Sequence, residues 1–269
     1  MPPAEHDNKK RGECIGIVSG KGGAGKSILT VNLGAALARM GKRVLCVDCA
    51  AGARGLDLAL GLSDASAMNF TDVAMGRCEL NQAVIAYPDE PGLYLLNAPP
   101  RGIVSWTPDI LSETGMENLI NNIRENFDIC LLDAAPGPGL FDLELVTRFA
   151  DRVIVISLID PIALRDAQKT VMRIQELYPG RFPDGDINLI INRIRLRILY
   201  HTRMTIDDAM DQAGLPLLGL IPEDDCILRA LYFKQPVTIA YPSSRAAYAI
   251  RNIAARLTGK SAPLTRMPW

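Results

Sequence analysis

The sequence predicts a single α/β domain, a doubly wound, mostly parallel sheet with helices on both faces. Three observations carry this expectation. Short apolar runs rich in Val, Ile and Leu recur along the chain and have the composition of strands buried on both faces. Between them lie stretches whose apolar residues repeat at three- and four-residue spacing, as helices require. The first strand and the first helix are joined by the glycine-rich turn Ser19-Gly20-Lys21-Gly22-Gly23-Ala24-Gly25-Lys26-Ser27.

In chain order, Met1 to Gly12 is polar and unpatterned and is expected to be a disordered lead over residues 1–12, with the domain at 13–258 and a flexible tail at 259–269. Cys14 to Val18 reads as the first buried strand, and Leu29, Leu33, Ala36, Leu37 and Met40 mark one face of an amphipathic helix that Gly41 closes. Arg43 to Asp48 is the second strand. Asn69 to Ile85 predicts two short helices with Val73, Leu80, Val84 and Ile85 inward, and Leu93 to Leu96 the next strand. Pro99 to Gly102 must be loop. Met116, Leu119, Ile120, Ile123 and Phe127 predict a helix with a capping box at Thr114 and Glu117. Ile129 to Asp133 is too apolar for a half-exposed strand and is placed at the centre. Val153 to Leu158 forms another, followed by a helix that Asp160 caps and Pro161 starts. Ile187 to Ile191 is a strand ending in Asn192-Arg193. Thr205 to Ala213 is a capped helix ended by Gly214, and Ser243 to Leu257 is the last. Arg193-Ile194-Arg195-Leu196-Arg197, with His201 and Arg203, alternates basic and apolar residues. It reads either as a basic patch or, by its period, as a strand extension with one solvated face.

The chemistry concentrates in the glycine-rich turn. Gly20 to Gly25-Lys26-Ser27 fits G-x-x-x-x-G-K-[ST] in the strand–loop–helix setting that this pattern requires. Glycines let backbone amides approach phosphate oxygens, Lys26 can reach the β- and γ-phosphates, and the Ser27 hydroxyl can ligate Mg²⁺. The helix N-terminus behind the loop favours an anion. The competing reading is an ordinary turn. Asp48 ends the second strand at the sheet edge where ligands bind in open α/β sheets, and serves there either the nucleotide and its Mg²⁺ water shell or a cap. Asp133 ends the central strand in the same way, and Ala134-Ala135-Pro136-Gly137 after it can turn sharply.

With Lys21 inside the loop, K-G-G-x-G-K-S resembles the deviant Walker A motif of the MinD/ParA class of P-loop ATPases. Val44 to Asp48 with Gly52 to Leu58, and Asp133 to Gly137, resemble its switch regions. Leu189 to Arg193, Leu217 to Asp224 and Gln235-Pro236-Val237 are most similar to its MinD members. The likeness runs from about residue 14 to 258. It implies ATP and Mg²⁺ as ligands, held by Gly22, Gly23, Ala24, Gly25, Lys26, Ser27 and Ile28 in the loop. It further implies Ser27, Asp48 and Asp133 around the metal, Lys21, Lys26 and Asp48 in catalysis, Asn192 as the reader of adenine, and Pro222 and Asp224 on the other side of the base. It also implies ATP-dependent homodimerisation with Lys21 crossing to the partner's phosphates, a role in division-site selection, and a protein activator or division inhibitor as partner. One departure stands out. At Ala50 the family pattern has the aspartate that orients attacking water, and a methyl group can neither accept a proton nor position water. Gly55 also replaces a common asparagine. Hydrolysis is therefore expected to be slow, or to depend on another carboxylate; Asp57, between Leu56 and Leu58, is assigned to the fold. The rival readings are a non-hydrolysing nucleotide-gated regulator and a DNA-partitioning or flagellar-positioning ATPase.

Composition narrows the field. In 269 residues, 29 basic and 30 acidic side chains leave a net charge of -1, which gives no global pull toward nucleic acid or anionic membrane, and no nucleic-acid partner is expected. Cys14, Cys46 and Cys130, among six cysteines, sit in apolar runs and read as small buried hydrophobes; Cys46-Val47-Asp48-Cys49 lacks the second pair of a metal site. Without a signal core or an 18-residue apolar run, the expected location is the reduced cytoplasm, with the inner membrane face as a peripheral station. Membrane contact would fall to the tail. Two prolines in 259–269 forbid a continuous helix there, and Leu264, Met267 and Trp269 with Lys260 and Arg266 offer only a weak interfacial contact against the alternative of a frayed terminus.

Overall fold

The computed structural model describes residues 11–50, 55–63, 65, 68–99, 112–135 and 140–264. Its first half runs β1 (Glu13–Val18), α1 (Lys26–Ala38), β2 (Val44–Asp48), α2 (Gly55–Leu60), α3 (Phe70–Ala74), α4 (Leu80–Ala83), β3 (Ile85–Ala86), β4 (Leu93–Leu96), α5 (Glu113–Asn126) and β5 (Ile129–Asp133). The second half runs α6 (Leu140–Phe149), β6 (Arg152–Leu158), α7 (Pro161–Leu177), β7 (Ile187–Ile194), α8 (Leu196–Thr202), α9 (Ile206–Ala213), β8 (Leu217–Pro222), α10 (Asp225–Tyr232), α11 (Val237–Ala240) and α12 (Arg245–Leu257). The strands form one eight-stranded sheet in the order β3-β4-β2-β5-β1-β6-β7-β8. Every pairing is parallel except that of the short edge strand β3 with β4. The strand order reverses beside β1, so the loop leaving β1 opens at the crevice where such sheets bind ligands.

The pleat divides the core. Ile15, Ile17, Cys46, Leu95 and Leu131 pack under α1, α2 and α12, whereas Cys14, Val47, Leu96, Cys130 and Leu132 pack under α5, α7 and α9. Sandwiched between sheet and helices on both sides, the strands need the unbroken apolar runs that the sequence supplies.

Several expectations change in the structure. Helix α1 is buried almost all round, Arg39 and Met40 lying just beyond its end, because α12 and α2 cover the side turned away from the sheet; the expected polar face is absent. Helix α5 is capped by Ser112, whose hydroxyl accepts from the Gly115 amide at 3.1 Å, and not by Thr114, which already lies inside the helix. The cap comes earlier because a Cβ on Gly115 would meet the Ala74 carbonyl at 2.3 Å, so the first turn of α5 sits hard against α3. Ile85 belongs to β3 rather than to a helix. Strand β7 runs on through Asn192 to Ile194, so the first two residues of the basic run extend the strand, and the rest turns at Arg195 into α8. Arg195 there is ion-paired with Glu223. The final helix is capped by Ser244. Of the expected lead, Gly12 donates to the Arg124 carbonyl at 2.9 Å, and Arg11 bonds Asn121 on the same helix. Pro100 to Gly102, Pro136 and Gly137, Gly52 to Arg54 and Met267 to Trp269 lie outside the described residues.

Candidate nucleotide site

The site grows from the chain reversal between β1 and α1. Gly23 and Gly25 have φ of 79° and 96°, in the left-handed region that side chains resist. Gly25 is also the N-cap of α1 and offers no side chain to its free amides, which leaves them for an incoming anion. A Cβ there would meet Asn192 Nδ2 at 2.4 Å. That nitrogen donates to the Ala24 carbonyl at 2.8 Å, so the end of β7 clamps the loop from above. At the other end of the loop a Cβ on Gly20 would meet the Asp166 carbonyl at 2.3 Å, which fits the loop tightly against α7. Gly22 is exposed, and Ala24 is buried.

The two lysines have opposite settings. Lys26 is 5 % exposed, with its ammonium donating to Ser19 Oγ at 2.9 Å, and burial lowers its pKa against the pull of Asp133. Ser19 in turn donates to the Lys21 carbonyl at 2.9 Å. Lys21 itself is exposed.

Across the loop, Asp133 accepts from Ser27 Oγ at 2.6 Å and from the Thr30 hydroxyl at 3.0 Å. Asp48, its register partner on β2, accepts from the amides of Ala50 at 3.0 Å and Leu56 at 3.4 Å. Each is 1 % exposed. Burial pushes Asp133 up to about 7, with the Asp48 charge adding and Ser27 and Lys26 opposing. Burial likewise pushes Asp48 up to about 6, against the Ala50 and Leu56 amides and with Asp57 adding to it. Two buried carboxylates beside a serine hydroxyl form a hard-oxygen donor set short of positive charge, and this suits a magnesium ion.

The structure thus gathers Lys26, Ser27, Asp48 and Asp133 at one point and sets Asn192 on the loop. Pro222 ends β8. Asp224 caps α10 through the Cys226 amide at 3.0 Å and also accepts from Ala246 of α12 at 3.0 Å. Ile28 is half-buried on the first turn of α1. Ala50 is buried, and Gly55 opens α2 where an added Cβ would come within 3.2 Å of Ser27 Oγ. Asp57 is buried in α2, and its Oδ1 accepts from Leu58 at 2.7 Å. Ser19 and Thr30 received no role from the sequence. Thr30 was legible in principle, one helical turn after Lys26 and three residues beyond Ser27, on the flank that meets the central strand.

A glycine-rich anion cradle at the switch point of a doubly wound parallel sheet, with a buried lysine and a serine–aspartate pair, defines a P-loop nucleotide-binding protein. Residues 15–237 match the model of the CobQ/CobB/MinD/ParA nucleotide binding domain. The septum site-determining protein MinD of Bacillus subtilis (strain 168) is 34% identical over 257 residues, covering 94% of this chain and 91% of its own. That of Synechocystis is 31% identical over 250 residues, covering 93% and 90%. Among solved structures, the MinC:MinD cell division protein complex of Aquifex aeolicus superposes with a TM-score of 0.82 at 28% identity, over 94% of this chain and 98% of that one. Pyrococcus horikoshii MinD complexed with Mg-ADP gives 0.74 at 26% identity, over 91% and 95%. The chain belongs to the CobQ/CobB/MinD/ParA nucleotide-binding family, in its MinD branch. Among the described residues, no helix is long and apolar enough to cross a membrane.

Proposed function

We propose that this protein is a MinD-like P-loop ATPase that binds ATP with Mg²⁺, dimerises around it and acts in division-site selection. The observation that carries the reading is the cradle itself: an uncapped α1 N-terminus, a buried Lys26 and the 2.6 Å Ser27–Asp133 bond meet at one point. Ser27 would hold the metal directly and Asp48 and Asp133 would hold it through water. The metal would supply charge neutralisation between the β- and γ-phosphates. Lys26 and the Gly22 to Ser27 amides would bind and orient the phosphates. Asn192, Pro222 and Asp224 would line the base. Lys21 would reach the phosphates of a second copy, so that ATP favours the dimer by the contacts it makes only there. The MinC:MinD cell division protein complex of Aquifex aeolicus supports a protein partner for this chain. The prolines of the tail leave membrane contact a minor contribution.

Ala50 sets the expected rate. Its backbone amide anchors Asp48, but its methyl group cannot orient water, so hydrolysis is slow and the ATP state long-lived. ATP turnover and ATP-dependent dimerisation of the natural protein and of Ala50→Asp test this. Dimerisation with little turnover, raised ten-fold or more by the aspartate, is expected. Brisk turnover in the natural protein would show that another group positions the water.

A further inference from the structure

Asn97 directly follows β4 at the nucleotide edge of the sheet and is 3 % exposed. Its carbonyl accepts from the Phe70 amide at 3.1 Å, but its side-chain Nδ2 has no hydrogen-bond partner among the described residues. A buried amide left without an acceptor works against folding, and an apolar side chain of similar volume would fill the same space without that loss. The position of the group says what it could serve. Val47 of β2 pairs with Leu96 of β4, and Asp48 pairs with Asp133 of β5, both in parallel ladders. The β2–β4 ladder ends at Val47 and Leu96, and one further step in the same register would set Asn97 beside Asp48, at the spacing of about 4.8 Å that separates neighbouring strands. Cys46, Leu95 and Leu131 face α1 and the residues after them face away, so one further step turns Asp48, Asn97 and Asp133 toward the α1 side.

Asp48 already has backbone donors, and the Ala50, Gly55 and Leu56 amides among them lie on the way into α2 or in its first turn. The Ala50 amide reaches Oδ1 at 3.0 Å, and the Leu56 amide reaches Oδ2 at 3.4 Å, which is long for a hydrogen bond. An unused donor thus stands at the flank of this carboxylate.

We propose that Asn97 is a positioning residue for the nucleotide site. With a magnesium nucleotide bound, the Asn97 amide becomes a donor to Asp48 and keeps that carboxylate aimed at the metal's water shell. The inference rests on the magnesium-nucleotide reading above. It makes the free and bound states differ by one hydrogen bond that only the bound state completes, and binding then draws on the interaction that the free state leaves unmade.

The test uses the full chain, with Asn97→Leu and Asn97→Ser beside the natural protein. Thermal unfolding is measured without nucleotide, and a fluorescent ADP is titrated at increasing Mg²⁺. Asn97→Leu is expected to unfold at the same temperature or higher, yet to need at least five times more Mg²⁺ for half-maximal ADP binding. Asn97→Ser, which retains a hydroxyl donor, is expected to recover part of that loss. An unchanged Mg²⁺ requirement in Asn97→Leu overturns the assignment, whatever its stability. Loss of both stability and Mg²⁺ response in the Leu and Ser variants alike marks a purely structural role and overturns it too. If the natural protein fails to bind ADP with Mg²⁺, the reading of the site itself falls and takes this one with it; tight binding by both the natural protein and Asn97→Leu removes only the role of Asn97.

Discussion

Asp48 and Asp133 stand side by side, buried, with the Lys26 ammonium pulling on Asp133. Burial holds them at about 6 and about 7, whereas an unfolded aspartate titrates near 3.9. Between those limits the folded chain binds more protons than the unfolded chain, so stability falls as pH rises. The contribution is fully present below about pH 4 and is lost as the pH passes through the two folded values. Without nucleotide or Mg²⁺, the midpoint of thermal unfolding is therefore expected to drop between pH 5 and pH 8, and Asp133→Asn is expected to flatten that slope. Equal slopes in the two proteins would mean that Asp133 is ionised throughout. The residues of this pair were legible because each ends an apolar run at the ligand edge of the sheet. Asn97 was not, since it also ends such a run but is an amide followed by Ala98-Pro99, and nothing in its spacing separates it from loop.

Helices show where local pattern stops being informative. The three-and-four spacing after the loop located α1 correctly, but its full burial depends on α12, more than 200 residues later in sequence. The helix start at α5 depends on contact with α3, so Ser112 and Thr114 could not be ranked from their own neighbourhood. Helices α10 and α11 were not anticipated, because both are short and Leu228 and Tyr232 within α10, with Phe233 just beyond it, are exposed and blur the apolar face. Asp224 was assigned to the base on resemblance. Its geometry adds a role the sequence did not show: one oxygen caps α10 at Cys226, and the other holds the Ala246 amide at the start of α12. Burial raises its pKa, but the Ala246 and Cys226 amides outweigh that and leave it below the ordinary value. Asp224→Ala should cost about 1–3 kcal/mol, since it removes the acceptor of two helix-terminal amides. Asp224→Asn, which keeps one carbonyl oxygen, should cost less. Urea unfolding of the three proteins measures this, and equal midpoints would show that water replaces the carboxylate at no loss.

At the scale of the whole molecule, β1 lies at the reversal of an eight-stranded sheet, so the loop after it opens at the edge where β2 and β5 also end in aspartate. Two lysines in that loop have been sorted by the fold. Lys26 turns inward to Ser19 and needs no second molecule to complete its setting. Lys21 remains exposed on the outside of the cradle. A cation in that position is screened by water and contributes little until a surface carrying negative charge closes over it. On the proposed function a second copy holding ATP would be such a surface, its triphosphate facing the same edge of its own sheet. Lys21→Ala is therefore expected to bind ATP within about two-fold of the natural protein while losing most ATP-dependent dimer, the differential contact being made only in the dimer. Lys26→Ala, by contrast, should lose ATP binding itself by ten-fold or more, since removing one partner of a buried charge-assisted contact to phosphate costs about 2 kcal/mol or more. Nucleotide titration and light scattering after size-exclusion chromatography, with ATP and with ADP, separate the two. Dimerisation of Lys21→Ala at the natural level would remove the lysine from the interface and leave the helix termini alone to balance the facing phosphates.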